Sequence, residues 1–297
     1  MTVPRQFPFE TIVVAMDFSA KSSATLRYAQ VIAQQHGAKL LLVHVIDPMA
    51  YAFPTGLPNS LAADQAAREE LARIEEETRQ QGIGVHSVVE TGDICERILQ
   101  CVKDYKGQLL VLGTRGKTEA GRIALGTIAR QLLAKAPCPI LTITPEAESI
   151  LPWAGRWRTV LLATDFSVSS LCALSSAHQI AHEQLIVLHS SDASTKEERA
   201  VLLERLRFLA PFNESHTVPV EHFITTGEPA KVIAKYAKES HADLVVLGSP
   251  SRLLSEKDMP SSTVLQVISS VSCPVLCIPQ TEGVAEVSLL NQMEHAA

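Results

Sequence analysis

A glycine-spaced loop in the first half of the chain has residue types suited to binding an anion. It starts at Gly113 behind an apolar run, passes Gly116, and reaches Gly126-Thr127 at the start of an amphipathic stretch. Glycine permits close backbone approach, and the free amides at a helix start attract negative charge. Arg115 adds a positive charge and Thr127 a hydroxyl donor. Taken alone, the glycines also fit a tight turn before a helix. The surrounding sequence is therefore needed to distinguish an anion site from such a turn.

The same motifs occur twice along the chain in the same order. The Asp-Phe-Ser motif at Asp17 recurs at Asp165, 148 residues later, and Gly113 recurs as Gly248, 135 residues later. Cys138-Pro likewise recurs as Cys273-Pro. A repeat of this length indicates two copies of one fold, the second shortened mainly around residues 48–64.

Short apolar runs alternate with amphipathic stretches in both copies, which is typical of parallel strands with crossover helices. The predicted strands cover 11–16, 39–46, 84–90, 108–113 and 138–143, then 159–164, 184–190, 219–225, 243–248 and 273–278. Right-handed crossovers place all carboxyl ends of the strands on one edge, where a ligand binds. The predicted fold class is therefore α/β, with two tandem doubly wound, Rossmann-like parallel-sheet domains.

We place the domain boundaries where neither the apolar runs typical of strands nor the amphipathic pattern typical of helices continues. Residues 146–156, which include Pro152 and Gly155, form the predicted linker. We predict a first domain at 1–147, a second at 157–281 and a polar C-terminal tail at 282–297, in which a short helix is left open.

Composition narrows the class of partners. The net charge of −6 and the low aromatic content disfavour nucleic acid. The N-terminus lacks an apolar signal core and the apolar runs have strand length, so we expect no membrane span and a cytoplasmic location. Six cysteines without a CxxC pair are expected to be small buried hydrophobes.

No metal site is predicted. His178 and His182 stand four positions apart on a predicted helix, a spacing that can hold one ion. The sequence places no third ligand beside them, so an exposed helix face is the favoured interpretation.

With its surroundings, the glycine-spaced loop resembles the nucleotide-binding signature of the universal stress protein family. The shared pattern is Gly-x2-Gly-x9-Gly-Thr behind a strand, with Asp17 after the first strand and His44-Val45 at the end of the second. The second copy resembles the same family through Asp165, Gly248 and Cys273-Pro. The resemblance covers nearly the whole first copy and implies a fold like that of the adenine nucleotide alpha hydrolases.

The resemblance also implies which residues contact an adenine nucleotide. Asp17 and Val45 would border the adenine, and Gly113 with Arg115 would line the ribose and phosphates. The complete implied set is Met16, Asp17, Val45, Leu112, Gly113, Arg115, Gly116, Gly126, Thr127 and Ile128. ATP is the implied ligand, while ADP, AMP and a companion Mg²⁺ are left open. Asp17 has a second, compatible interpretation as the cap of a helix that starts near Ser19.

The second copy departs from this signature. Gly116 becomes Ser251, and Gly126-Thr127 becomes Ser261-Ser262. Each lost glycine adds a Cβ where a phosphate would approach, so no conventional ATP site is expected there. The ligand of the second copy is unknown, and its serine hydroxyls leave another anion open.

These observations favour an ATP-dependent sensor or signalling protein of the stress response without catalytic residues. A slow ATP hydrolase or an adenylate-transferring enzyme is the second hypothesis, and it is weakened because the chain has no GxxxxGK[ST] loop and no Ser-Gly-Gly-x-Asp loop. An interaction scaffold is the third. The family pairs domains through the edge of the fifth strand, which implies pairing of the two copies within this chain. A homodimer is also left open.

Overall fold

The computed structural model describes residues 9–48, 60–114, 125–144, 147, 152, 156–193, 195–211, 218–249 and 262–280. The chain divides into two compact units, the first comprising residues 1–132 and 138–155 and the second residues 156–297 together with the short segment 133–137. Most of the predicted linker, the tail at 282–297, and the loop residues Arg115 and Gly116 lie outside the described residues. The domain boundaries at 147, 157 and 281 stay predictions.

The first unit is a five-stranded parallel sheet with its helices between the strands. Its strands lie in the order β3-β2-β1-β4-β5, and each described pair of neighbours is parallel. The strands are β1 (Thr11–Ala15), β2 (Lys39–Ile46), β3 (Val85–Thr91), β4 (Leu109–Gly113) and β5 (Ile140–Ile143). The helices are α1 (Ala20–His36), α2 (Ser60–Gln80), α3 (Ile94–Asp104) and α4 (Thr127–Lys135).

The second unit repeats this topology. Its strands lie in the order β10-β9-β6-β7-β8 and are again parallel. The strands are β6 (Trp157–Ala163), β7 (Ala181–Ser190), β8 (Val220–Thr225), β9 (Leu244–Ser249) and β10 (Val275–Pro279). The helices are α5 (Val168–Ile180), α6 (Lys196–Leu209), α7 (Pro229–Glu239) and α8 (Ser262–Ser270). None of the helices within the described ranges is long and apolar enough to cross a bilayer.

The central strand β1 is buried on both faces, and its carboxyl end lies beside a crevice. Ile12, Val13 and Val14 are fully buried because both faces of a parallel sheet are covered. Val13 pairs with Leu41 of β2 on one side and with Leu110 of β4 on the other. The chain reverses its strand order between β1 and β4, so their carboxyl ends flank a crevice. The predicted α/β class and doubly wound topology are confirmed.

The helix that was predicted to carry His178 and His182 ends before the second of them. α5 stops at Ile180, Ala181 is extended, and His182 belongs to β7. Its Nε2 atom lies 3.1 Å from Nη1 of Arg156. The shared helix face was therefore a wrong prediction, because the second copy passes from helix to strand without a turn. Within the described residues, no group of three or more potential ligand side chains could hold a metal ion.

The cysteines behave as small core side chains. Five of the six are buried, and Cys172 on α5 is partly exposed. Burial raises the pKa of the Cys138 and Cys273 thiols to about 12, and that of Cys101 to about 11. Thiols with such pKa values stay protonated at neutral pH and are poor nucleophiles. The prediction that the cysteines are small buried side chains is confirmed for five of the six.

Candidate functional site

A cavity of about 360 Å³ opens in the first unit at the carboxyl ends of β1, β2 and β4. It lies where the strand order reverses, the place at which open α/β sheets bind ligands. The residues implicated by the sequence that line it are Met16, Asp17, Val45, Leu112, Gly113, Gly126, Thr127 and Ile128. The remaining two, Arg115 and Gly116, lie outside the described residues. Residues more than a hundred positions apart are thus brought to one cavity.

The inner part of the cavity is apolar. Ile94 and Ile98 of α3 and Leu132 of α4 line it together with Val43 of β2. An apolar wall with a few polar groups at the mouth is the usual composition of a small-molecule site. The apolar periodicity of α3 does not by itself distinguish a core face from a cavity wall, so it gave no sign that Ile98 lines a cavity.

The polar rim begins with Asp17, directly after β1. Its Oδ1 atom accepts a hydrogen bond from the Ser19 amide at 2.9 Å. Ser19 is the N-cap of α1, and its hydroxyl accepts from the Ser22 amide at 3.3 Å. The helix cap is therefore Ser19, and Asp17 holds the turn that precedes it while its carboxylate remains half-buried at the cavity.

The start of α4 supplies backbone amides at the opposite side of the mouth. The Gly126 amide donates to the Thr114 carbonyl oxygen at 3.2 Å, which ties together the two ends of the glycine-spaced loop. The Arg130 amide donates to the Gly126 oxygen at 3.1 Å. The amides of residues 127–129 therefore precede the helical ladder and belong to the first turn, whose amides lack intrahelical acceptors. Such a turn attracts an anion.

Gly113 ends β4 at the cavity and leaves room there. A Cβ added to Gly113 would meet only Thr25 Oγ1 of α1, at 3.3 Å. Gly113 therefore lies at the end of β4 beside the cavity, and the neighbour of an added Cβ would be a side-chain atom, not a backbone atom. The sequence indicated this glycine, but not its neighbour Thr25.

The equivalent glycine in the second unit has very different surroundings. A Cβ added to Gly248 would lie 2.3 Å from the Ser169 carbonyl carbon and 2.4 Å from the Ser170 amide nitrogen. The first turn of α5 thus rests directly on β9. The buried face of α5 is built of small residues, namely Ser169, Ser170, Ala173, Ser176 and Ala177. Small side chains allow the backbone of a helix to approach a sheet closely.

The hydroxyl groups at the start of α5 bond to one another. Thr164 Oγ1 lies 2.8 Å from Ser170 Oγ, and Ser167 Oγ lies 3.0 Å from Ser169 Oγ. Asp165 Oδ1 accepts from the Ser167 amide at 2.9 Å. Burial raises the pKa of Asp165, but hydrogen bonds from Ser167 and Ser170 outweigh it and hold the pKa below its ordinary value.

Two doubly wound parallel sheets in tandem, with a cavity at the switch point of the first, define a protein of the doubly wound α/β class. The model of the universal stress protein family matches residues 8–144 and again residues 156–279. The chain belongs to the universal stress protein family.

This chain is similar to relatives of about its own length and to relatives of about half its length. A universal stress protein of Mycolicibacterium smegmatis is 28% identical over 298 residues, covering 90% of this chain and 96% of its own length. One of Thermus aquaticus is 32% identical over 144 residues, covering 46% of this chain and 98% of its own length. The crystal structure of a universal stress protein from Archaeoglobus fulgidus has a TM-score of 0.69 at 18% identity and covers 91% of this chain and 98% of its own. This last similarity supports the fold.

Proposed function

We propose that the first unit binds ATP and that the chain acts in the stress response as a nucleotide-dependent sensor or signalling protein, without catalytic residues of its own. The observation that carries this proposal is the cavity at the β1/β4 switch point. That single cavity is lined by residues of the sequence signature that follow β1, lie on β2 and β4, or stand at the start of α4.

The cavity suits a nucleotide in size and composition. Its volume of about 360 Å³ falls within the range of small-molecule sites. The apolar wall around Ile98 fits a planar base, and Asp17 at the rim offers acceptor oxygens to an exocyclic amine. The first turn of α4, with the Thr127 hydroxyl, suits phosphate oxygens. By the family signature, Arg115 and Gly116 would add contacts to the ribose and phosphates.

In the second unit we propose a structural role in place of ATP binding. The backbone of α5 rests on Gly248, whereas in the first unit a side-chain hydroxyl, that of Thr25, lies nearest to the same place beside Gly113. The hydroxyls of Ser167, Ser169 and Ser170 are engaged with each other and with Thr164. A phosphate approaching this edge would have to displace a packed helix turn.

Calorimetric titration with ATP and Mg²⁺ tests both proposals. Thr127 is exposed at the start of α4 and lines the cavity, so Thr127→Trp blocks the mouth at little cost in stability. Ser262→Trp at the start of α8 is the matched control in the second unit. We expect about one ATP per chain for the wild type and the control, and affinity weakened about 100-fold or more in Thr127→Trp. Wild-type affinity in Thr127→Trp would exclude this cavity as the site.

Catalysis is tested in the same samples by phosphate release. A sensor holds ATP without steady-state release above the buffer background. Release that disappears in Thr127→Trp but persists in Ser262→Trp would instead establish a slow hydrolase at the same cavity.

A further inference from the structure

Each unit contains a phenylalanine with a positive backbone φ angle that lies against a histidine ring. Phe18 has a φ of 55° and Phe166 a φ of 62°. A left-handed conformation is unfavourable for a bulky side chain and persists only where the surroundings enforce it. Both phenylalanines follow the aspartate of the Asp-Phe-Ser motif, so the conformation belongs to the turn that ends β1 and β6.

In the first unit, His44 holds this turn from the neighbouring strand. The ring centroids of Phe18 and His44 are 4.3 Å apart, with an interplanar angle of 31°. His44 Nδ1 lies 2.9 Å from the Met16 carbonyl oxygen, and the Met16 amide donates to the Val43 oxygen at 2.9 Å. Since a carbonyl oxygen only accepts, Nδ1 carries the hydrogen. Both backbone polar groups of Met16 are thus tied to β2.

The second unit repeats the arrangement. His189 Nδ1 lies 2.8 Å from the Thr164 oxygen, and the ring centroids of Phe166 and His189 are 4.4 Å apart. The guanidinium carbon of Arg205 on α6 also lies 4.3 Å from the Phe166 ring centroid. The same arrangement of phenylalanine, histidine and backbone carbonyl thus lies beside a cavity in the first unit and beside a packed helix turn in the second. The second unit therefore serves as an internal control.

We propose that Phe18 and His44 are positioning residues for the nucleotide site. They fix the backbone of Met16 and Asp17, both of which line the cavity, in the orientation that receives the base. The proposal rests on nucleotide binding by the first unit. His44 also lines the cavity, and the role proposed for it is exerted through the Met16 carbonyl and the Phe18 ring.

Three variants of the full chain separate positioning from general stability. His44→Phe keeps a ring beside Phe18 but removes the donor to Met16. His44→Asn restores an amide donor near the place of Nδ1, and it serves as the milder variant if His44→Phe folds poorly. His189→Phe removes the matching hydrogen bond in the second unit. Each is measured by calorimetric ATP titration, by melting temperature, and by hydrogen exchange of the segment 14–22.

We expect His44→Phe to weaken ATP binding about tenfold and His44→Asn to recover most of that loss. His189→Phe should lower the melting temperature to a similar degree while leaving ATP affinity unchanged. Amide exchange in the segment 14–22 should be faster in His44→Phe even without ATP, because the Met16 clamp has been removed.

The two proposals fail in different ways. A wild-type chain that binds no ATP, together with faster exchange in His44→Phe, would overturn the nucleotide function and leave the clamp on Met16 in place. A wild type that binds ATP, with affinity and exchange unchanged in His44→Phe and His44→Asn, would overturn the positioning role alone.

Discussion

Gly113 and Gly248 stand at equivalent places near the ends of β4 and β9, yet they serve different purposes. Beside Gly113, the nearest atom to an added Cβ is a side-chain hydroxyl at 3.3 Å. Beside Gly248, the nearest atoms belong to the backbone of α5, at 2.3 and 2.4 Å. In the first unit the glycine borders a cavity, and in the second it admits a helix. A glycine retained in a repeat therefore does not by itself indicate a retained ligand site.

The helices that face the two glycines differ in the size of one buried side chain. Tyr28 of α1 is fully buried, and its hydroxyl donates to the Ala147 carbonyl oxygen at 2.7 Å. The equivalent position of α5 holds Ser176, which is also buried. A large buried side chain on a helix needs more room than a buried serine does. We infer that Tyr28 keeps α1 from packing on Gly113 in the way that α5 packs on Gly248.

Replacing Tyr28 by the residue of the second unit should have the largest effect. Tyr28→Ser removes a buried ring and its hydrogen bond, and should lower the free energy of unfolding by about 4 kcal/mol. Urea denaturation followed by circular dichroism measures this loss. The control Ser176→Ala removes a single hydroxyl and should cost less than about 1.5 kcal/mol. Similar losses in the two variants would contradict the spacing role of Tyr28.

The two glycines themselves provide the next test. Gly248→Ala forces a methyl group against the α5 backbone, and we expect a loss of about 3 kcal/mol in unfolding free energy. Gly113→Ala requires only a small movement of Thr25, and we expect a loss of about 1 kcal/mol or less. Equal destabilisation in thermal and urea unfolding would mean that the two helices approach their sheets equally closely.

The smallest expected effect concerns Asp165 and pH. Its pKa is lowered in the folded state, so its charge contributes stability above the unfolded value of 3.8, and that contribution is lost as pH falls through the folded value. Asp165→Asn should therefore lower the melting temperature modestly at pH 7, with the difference from wild type shrinking as pH falls below 3.8 and through the folded value. A difference that stays constant down to the lowest pH at which both proteins fold would show that the charge of Asp165 has no part in the turn.

The sheet could be predicted closely from the sequence because its strands are buried on both faces and appear as continuous apolar runs. The predicted strand at 39–46 coincides with β2, and the one at 108–113 differs from β4 by one residue. The end of α5 was missed for a local reason. α1 stops at Gly37, which has a φ of 65°, whereas α5 ends at Ile180 with no glycine to mark it.

The site was predictable only in part. Asp17, Gly126 and Thr127 belong to short motifs with a chemical meaning, so their spacing pointed to them before the fold was known. The contact of α5 with Gly248 could not be seen, because it depends on side-chain volumes such as that of Ser176, far away in sequence. Helix-to-sheet distance is set by packing and has no local signature.

Photolabelling with 8-azido-ATP, followed by peptide mapping of the full chain, tests most directly the claim that the nucleotide occupies the first unit alone. We predict labelled peptides from the cavity of the first unit, around Met16–Ser22 or Thr127–Leu132, with labelling abolished by excess ATP and by Thr127→Trp. ATP-protected labelling around Thr164–Ser170 or Ser262–Ser270 would contradict the account, because it would place a nucleotide where α5 rests on Gly248.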